Sequence, residues 1–341
     1  MRAALLTEIP AAGLELVDIA GPTPGPGEVL IEVAACGICG TDLHIMDGAS
    51  YRPSLPFLLG HEPVGIVRAT GRGADPSLRG RRIAPTLFVG DGTCDYCLAG
   101  DERLCSGLIG IIGVQSIPGG FAELLAFPAG QAVEIPSGLG DIEAASLVDG
   151  GATAANSVRE LELLTVGSPA SVRSALVVVI GAGPIGLLVA ELVGRLGRPH
   201  VLVQPSQLRR MVAQAMGHDV VADLADVNQP VGVVIDCAGT IEALPWAIAN
   251  LRPMGVFIAA GYGLTAPLNT AGIARKELKV TGVRSGRRED LESIFLAASE
   301  GRIQLPPVST RPLSKINDAL DDLRSHVVPG KMVVVPGLAR G

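Results

Sequence analysis

The sequence predicts an α/β fold in which a doubly wound parallel sheet is joined to a β-rich domain. Three features carry this prediction. Roughly the first 150 residues hold short runs rich in β-branched residues, separated by Gly and Pro. From about residue 161, apolar strands alternate with helical stretches, which is typical of a parallel sheet wrapped by helices. The tail from about residue 284 adds two helical patterns and a closing strand.

The chain length sets the number of domains. A domain takes roughly 150 residues, so 341 residues predict two domains. We place the β-rich domain over residues 1–152 and the parallel-sheet domain over 153–284, with residues 285–341 returning to the β-rich domain. In the middle segment, the strand patterns ALVVVIG, HVLVQ and VGVVIDCAG are each followed by a helical pattern.

The overall charge and the apolar runs disfavour nucleic acid and membranes as partners. A net charge of −7 and a pI near 5.3 disfavour binding to nucleic acid or to an anionic membrane, because such contacts need clustered Lys and Arg. The longest uncharged apolar run, residues 175–190, is shorter than the 20 or so residues of a membrane span and contains Gly and Pro. The N-terminus has no signal-type apolar region, so we expect a cytoplasmic protein.

The glycine-rich turn after the strand ALVVVI indicates a dinucleotide site. Gly181 allows the turn, Gly183 lets the backbone approach a pyrophosphate, and Gly186 lets the helix pack on the strand. Pro184 and Ile185 open that helix, whose free N–H groups favour phosphate. Because strands and helices continue to alternate after the turn, we predict a Rossmann domain that binds NAD or NADP. The alternative is a glycine-rich turn with a purely structural role.

The end of the next strand favours NADP over NAD. An acidic residue that binds the ribose hydroxyls is expected about 20 residues after the turn, but the strand HVLVQ ends at Gln204. Ser206, Arg209 and Arg210 follow, and a guanidinium suits a 2′-phosphate. The alternative is that Arg209 and Arg210 only form a solvated helix face.

Cysteine and histidine positions predict metal binding. Five of the six cysteines lie between positions 36 and 105, and in a reducing compartment such clusters indicate metal before disulfide. In the stretch CGICGTDLH, Cys39 and His44 are five residues apart and close enough to meet on a turn. A third ligand must come from elsewhere, and His61 lies at a strand end beside Glu62.

These motifs together resemble the zinc-dependent medium-chain dehydrogenase/reductase family, which includes alcohol and polyol dehydrogenases. The resemblance covers nearly the whole chain and includes the glycine turn and the C-terminal PGKMVV. It departs at Ala74, where the family usually has Val. The residues that match the family's zinc signature are Gly60, His61, Glu62, Gly65 and Gly71.

The resemblance implies a β-rich domain of the GroES-like type and a catalytic zinc held by Cys39, His61 and Asp149. Asp149 stands where other members have Cys, Glu or Asp. The resemblance also implies that Glu62 approaches the metal as a movable carboxylate and that Asp42 orients His61.

The same resemblance assigns a proton relay and a phosphate contact. Thr41 would connect the substrate oxygen to His44, which would pass the proton to solvent. The alternative for His44 is a polar loop residue without a proton role. Lys331, in PGKMVV, would contact the pyrophosphate.

A second cluster resembles the structural zinc lobe of the family. The family spacing of four cysteines is kept except that the first position is an aspartate, and zinc accepts carboxylate oxygen. The alternative is a metal-free lobe with reduced thiols. The predicted ligands are Asp91, Cys94, Cys97 and Cys105.

We therefore predict a zinc-dependent oxidoreductase that transfers hydride reversibly between NAD(P) and an alcohol, either a secondary alcohol or a polyol, with the matching ketone or aldehyde. The alternatives are a biosynthetic reductase of an iminium or a conjugated alkene, and a noncatalytic cofactor-binding protein. The substrate pocket is expected near residues 51–58, 109–115 and Phe121, which are mostly apolar. The relatives implied by the resemblance are homodimers or homotetramers.

Overall fold

The structure, a computed structural model, describes residues 1–262 and 266–337. The first part of the chain is mainly strand, with three short α-helices. Its elements are β1 (Arg2–Leu6), β2 (Glu15–Asp18), β3 (Glu28–Ile38), α1 (Gly40–Met46), β4 (Phe57–Leu58), β5 (Glu62–Thr70), β6 (Arg82–Pro85), β7 (Phe88–Val89), α2 (Asp95–Leu98), β8 (Gly110–Ile112), β9 (Ser116–Ile117), β10 (Leu124–Pro128), β11 (Ala132–Glu134) and α3 (Asp141–Ala145).

The middle part alternates helices with strands, and the tail returns to the first pattern. The middle elements are α4 (Gly150–Thr165), α5 (Ala170–Arg173), β12 (Leu176–Ile180), α6 (Pro184–Arg195), β13 (His200–Val203), α7 (Gln207–Ala215), β14 (Val220–Val221), β15 (Val231–Asp236), α8 (Ala243–Asn250), β16 (Leu251–Ala259), α9 (Thr270–Lys276) and β17 (Lys279–Gly282). The tail holds α10 (Arg288–Ser299), β18 (Val308–Pro312), α11 (Ile316–Arg324) and β19 (Lys331–Val335).

The chain divides into two units. Residues 1–149, 287–300 and those from 307 onward form the first unit, and residues 150–286 with 301–306 form the second. The expected return over residues 285–341 is therefore interrupted at 301–306. This short segment is tied to the second unit because the backbone N–H of Gln304 donates to a carboxylate oxygen of Glu191 on α6 at 3.1 Å.

The first unit is built on a seven-stranded sheet of order β11-β6-β5-β3-β19-β18, in which β10 also pairs with β3. The pairs β3–β5 and β3–β19 are antiparallel, so β3 lies in the centre with β5 and β19 on either side. Smaller sheets of order β2-β1-β4 and β7-β8-β9 complete the unit. This mainly antiparallel architecture is the predicted β-rich domain.

The second unit contains a parallel sheet of order β14-β13-β12-β15-β16-β17. Every residue of β12 and β15 is buried, as expected for central strands covered on both faces. The strand order reverses between β12 and β15, and in doubly wound sheets ligands bind at that switch point, beyond the carboxyl ends of the strands. The predicted α/β fold class is confirmed.

Within the residues that the structure describes, no helix has the length and apolar character needed to cross a membrane.

Candidate functional site

The glycine turn lies at the carboxyl end of β12, at the switch point of the parallel sheet. Gly181 has a φ of +95°, a conformation that side chains rarely adopt. A Cβ at Gly186 would overlap the carbonyl oxygen of Gly181, so the third glycine is needed for close packing of α6 on the turn. A Cβ at Gly183 would meet nothing within 4 Å, which leaves open space above the backbone for a ligand.

The N-terminus of helix α6 lies next to that open space. It begins at Pro184 with Gly183 as the N-cap residue, and no side chain caps it. The N–H groups of the first turn have no intrahelical acceptor, so they carry a partial positive charge suited to phosphate. The turn and the helix together fit the pyrophosphate of a dinucleotide.

The two arginines after β13 differ in their contacts. Arg210 donates to the carbonyl oxygens of Gln204, at 2.9 Å, and of Pro205. Arg209 makes no hydrogen bond or ion pair with the described residues, and partial burial lowers the pKa of its guanidinium. Gln204 is buried and its side-chain oxygen accepts from the backbone N–H of Ser206 at 3.0 Å. Of the two guanidinium groups, that of Arg209 has no donor engaged by the described residues, whereas Arg210 uses its Nη1 on backbone carbonyls.

Three predicted metal ligands from separate segments converge in the first unit. One ligand atom each of Cys39, His61 and Asp149 lies within 4.8 Å of the other two. Cys39 is the N-cap residue of α1, His61 directly precedes β5, and Asp149 directly precedes α4. The distance from His61 Nε2 to Asp149 Oδ2 is 3.7 Å. Sulfur, imidazole and carboxylate are all zinc ligands, and three protein ligands are typical of a catalytic zinc site.

The buried histidine supports a metal ion at this position. His61 is 1% exposed, and among the described residues neither of its ring nitrogens has a hydrogen-bond partner. An unsatisfied buried imidazole is costly, and a metal ion would satisfy it. Burial alone lowers the pKa of the His61 ring, but Asp42 and Asp149 raise it well above its usual value. The cluster therefore has the negative potential that a cation needs.

Asp42 connects two of the ligands. Its Oδ1 lies 3.4 Å from His61 Nδ1, and its Oδ2 accepts a hydrogen bond from the backbone N–H of Cys39 at 2.9 Å. Asp42 is fully buried, on the first turn of α1. One carboxylate thus faces the imidazole and holds the backbone of the thiol ligand, the type of support that tunes metal sites.

Glu62 and Lys331 form a buried ion pair in the first unit. Glu62 is fully buried and Lys331 is 5% exposed. Lys331 was predicted to contact the pyrophosphate, whereas in the structure its ammonium group is placed on a carboxylate beside the metal ligands. The phosphate contact stays a prediction. Sequence reasoning missed the pair, because it depends on strand register rather than on a local motif.

Thr41 and His44 lie on α1, next to Cys39. The thiol of Cys39 lies 3.8 Å from the hydroxyl oxygen of Thr41. His44 is exposed and follows Thr41 by three residues, so both side chains lie on one side of the helix. This arrangement suits a proton path that ends in solvent. His44 does not belong to either group of candidate metal ligands in the described residues.

The second predicted cluster also assembles. Ligand atoms of its four residues lie within 4.8 Å of one another. Asp91 Oδ1 accepts from the backbone N–H groups of Thr93 and Cys94, at 2.8 and 3.1 Å, which lowers the pKa of Asp91 to about 2. Hydrogen bonding, first with the backbone of Cys97, lowers the pKa of Cys94 to about 7. An ionised carboxylate among three thiols fits a structural zinc. The four residues are Asp91, Cys94, Cys97 and Cys105.

The expected substrate-pocket residues differ in exposure. Ile109 is 58% exposed and Leu55 is 39% exposed. Phe121 is fully buried, and a Cβ at Gly60 would overlap its ring. Phe121 therefore packs behind the His61 segment as part of the core.

Comparisons with known proteins agree with this geometry. The chain matches the alcohol dehydrogenase GroES-like domain over residues 25–137 and the zinc-binding dehydrogenase domain over residues 212–334. An L-threonine 3-dehydrogenase from Streptomyces coelicolor is 33% identical over 90% of this chain and 91% of its own length. This chain belongs to the zinc-binding alcohol dehydrogenase family.

Other members of the family match along their whole length. An alcohol dehydrogenase from Geobacillus stearothermophilus is 28% identical over 98% of both chains. The cobalt- and zinc-bound thermostable alcohol dehydrogenase from Pyrobaculum aerophilum has a TM-score of 0.87 at 29% identity, over 98% of this chain and 99% of that chain. The predictions of the family, of the GroES-like and Rossmann combination, and of an alcohol–carbonyl oxidoreductase are confirmed.

Proposed function

We propose that this protein is a zinc-dependent alcohol dehydrogenase that transfers hydride reversibly between NADP and a secondary alcohol or polyol. The observation that carries the proposal is the convergence of a thiol, a carboxylate and a buried, unsatisfied imidazole from three separate segments, Cys39, His61 and Asp149. The names of the relatives support an alcohol as substrate, since they include alcohol dehydrogenase and L-threonine 3-dehydrogenase.

The metal and the dinucleotide would supply the reactive groups. Zinc, when bound, would supply Lewis-acid polarisation of the substrate oxygen, and the nicotinamide would accept the hydride from the alcohol or donate it to the carbonyl compound. The chain supplies ligands and orientation: Asp42 faces Nδ1 of His61 at 3.4 Å and accepts a hydrogen bond from the backbone N–H of Cys39. Charge balance is favourable, because a thiolate and a carboxylate together neutralise a divalent cation.

Proton transfer uses two side chains of α1. The Thr41 hydroxyl, beside the Cys39 sulfur, takes the proton from the substrate hydroxyl and passes it on. His44 is exposed and releases the proton to solvent. In the direction of carbonyl reduction, the same groups deliver a proton to the substrate oxygen.

Cofactor binding combines the glycine turn with the segment after β13. The N-terminus of α6 binds the pyrophosphate. Arg209 binds the 2′-phosphate of NADP, since its guanidinium has no partner among the described residues, whereas Nη1 of Arg210 donates to backbone carbonyls. No carboxylate stands at Gln204 to repel that phosphate. We further propose that the second cluster holds a structural zinc and that the protein is a cytoplasmic homodimer or homotetramer.

The experiment combines metal analysis with an activity screen. Asp149→Ala is expected to lose the catalytic metal and its turnover while NADP still binds, because the carboxylate is a ligand and not part of the cofactor site. Asp149→Cys, which restores an anionic zinc ligand, is the matched control and should regain metal. Metal content is measured by elemental analysis and activity with a panel of alcohols and ketones. An Asp149→Ala protein with full metal content and turnover would exclude this ligand set.

A further inference from the structure

Glu62 and Lys331 lie on the same face of the seven-stranded sheet. Glu62 on β5 is paired with Gly37 on β3, and Gly37 is paired with Val333 on β19. Residues paired directly across neighbouring strands point to the same face, and so do residues two apart along one strand. Lys331 therefore shares the face of Val333, and Gly37 lies between Glu62 and β19.

The missing side chain at Gly37 opens the path between the two charges. A Cβ there would overlap Oε2 of Glu62 and would lie 3.0 Å from the carbonyl oxygen of Ala145. Gly37 is not among the glycines with positive φ, so space rather than backbone conformation requires it. The Glu62 side chain crosses the central strand over this gap and reaches the Lys331 ammonium.

The pair lies near the partly buried side chains of two candidate metal ligands, Cys39 and Asp149. Glu62 follows the metal ligand His61 in sequence, and Lys331 interacts electrostatically with Cys39 and Asp149 as well as with Glu62. Lysine is the favourable charge that offsets the cost of burying this carboxylate. A carboxylate is itself a good zinc ligand, so a Glu62 released from its partner would compete for the metal.

We propose that Lys331 is a positioning residue of the metal centre, because it holds the Glu62 carboxylate over Gly37 and so keeps it off the coordination position that the substrate oxygen needs. The inference rests on the proposed zinc site. It gives Lys331 a role at the metal instead of the predicted contact with the cofactor pyrophosphate.

The test uses cobalt(II) in place of zinc, because the visible d–d bands of cobalt report its coordination number. Lys331→Met frees Glu62, so the bands are expected to weaken and shift toward those of five-coordinate cobalt. Lys331→Arg keeps the positive charge and should retain the wild-type bands. The double variant Lys331→Met/Glu62→Gln lacks both charges, and its cobalt bands should return to those of wild type. With the alcohol substrate, Lys331→Met should lower kcat/KM by about 10- to 100-fold, the usual effect of losing an outer partner of a metal site.

The affinity for NADPH distinguishes a role of Lys331 at the metal centre from a contact with the cofactor pyrophosphate. It is measured by fluorescence titration of the same proteins, and Lys331→Met should bind NADPH as wild type does. Unchanged cobalt bands together with weakened NADPH binding would overturn the inference in favour of the phosphate contact.

Two further measurements keep the test decisive. If Lys331→Met does not fold, Glu62→Gln alone replaces it: its cobalt bands should equal those of wild type, and a change would mean that Glu62 already binds the metal. Failure of wild-type protein to bind cobalt at all would refute the proposed function, whereas cobalt binding with bands unaffected by Lys331→Met would refute only the role of Lys331.

Discussion

The carboxylate of Asp42 lies 3.4 Å from His61 Nδ1 and also accepts the backbone N–H of Cys39 at 2.9 Å. A single fully buried side chain thereby supports two of the three candidate zinc ligands. Because α1 begins at Cys39, the first turn of this helix brings the acid to both ligands at once.

Asp42→Asn is expected to weaken metal binding by about 10- to 100-fold, since outer-shell partners of metal sites have effects of that size. The amide can still accept from Cys39, but it carries no charge to face the imidazole. Metal affinity is measured by competition with a chromogenic chelator. Asp47→Asn is the matched control, because Asp47 is an exposed acid just after the same helix. Equal affinity for wild type and Asp42→Asn would show that the contact has no part in metal binding.

Arg209→Ala is expected to reduce kcat/KM for NADP by about 10- to 100-fold while leaving kcat/KM for NAD unchanged. A lost hydrogen bond to a charged group is worth about 1.5–3 kcal/mol, and only NADP carries the 2′-phosphate. The comparison variant is Arg210→Ala, which removes the same group from the next position, where it is bound to backbone carbonyls. A similar loss with both dinucleotides would mean that Arg209 does not read the phosphate.

Asp91→Ala is expected to release the second zinc and to lower Tm by several degrees, because metal binding contributes to folding free energy. Asp91→Cys completes a four-thiolate site and should keep the metal. Zinc per chain and Tm are measured together. Asp95→Ala, at an exposed acid of the same lobe, serves as the control. If Asp91→Ala retained two zinc ions per chain, the carboxylate would not be a ligand.

His200 and His218 form a hydrogen-bonded pair in the second unit. His200 Nδ1 lies 3.2 Å from the carbonyl oxygen of Arg198 and must donate to it, so its Nε2 accepts from His218 Nδ1 at 3.2 Å. His218 Nε2 is then a buried lone pair without a partner in the described part of the chain. Burial first, and then His200, lower the pKa of His218, and Glu191 on α6 opposes this.

Because His218 is buried in this pair, we expect the free energy of unfolding to decrease in mild acid. An unfolded histidine titrates near pH 6.5, whereas the folded His218 takes up its proton only at lower pH. The contribution to stability is therefore complete above pH 6.5 and is lost as pH falls below it toward the lowered pKa. His218→Asn keeps a donor near the position of Nδ1 without titrating, so its free energy of unfolding should change less between pH 7.5 and pH 5.5 than that of wild type.

The control for this prediction is His326→Asn. His326 is exposed with a φ of 56°, which Asn tolerates, so the variant removes a histidine without removing a buried lone pair. Chemical denaturation of all three proteins at both pH values measures the effect. A wild-type pH dependence retained by His218→Asn would show that His218 does not cause the loss of stability.

The sequence by itself determined the local motifs. The turn from Gly181 to Gly186 and the lobe from Asp91 to Cys105 depend on residues close together in the chain, so their spacing already limits the geometry. Alternating apolar strands and helices likewise predict a parallel sheet without tertiary information.

Only the tertiary structure decided which distant groups act together. Nothing in the sequence alone separates the tasks of Arg209 and Arg210, yet the fold binds one to backbone carbonyls and leaves the other available. Glu62 and Lys331 lie on strands that flank β3. Their side chains reach each other because β3 has a glycine, Gly37, at the point where the Glu62 side chain crosses it. Strand register sets such contacts, and register results from the packing of the whole sheet rather than from any short stretch of residues.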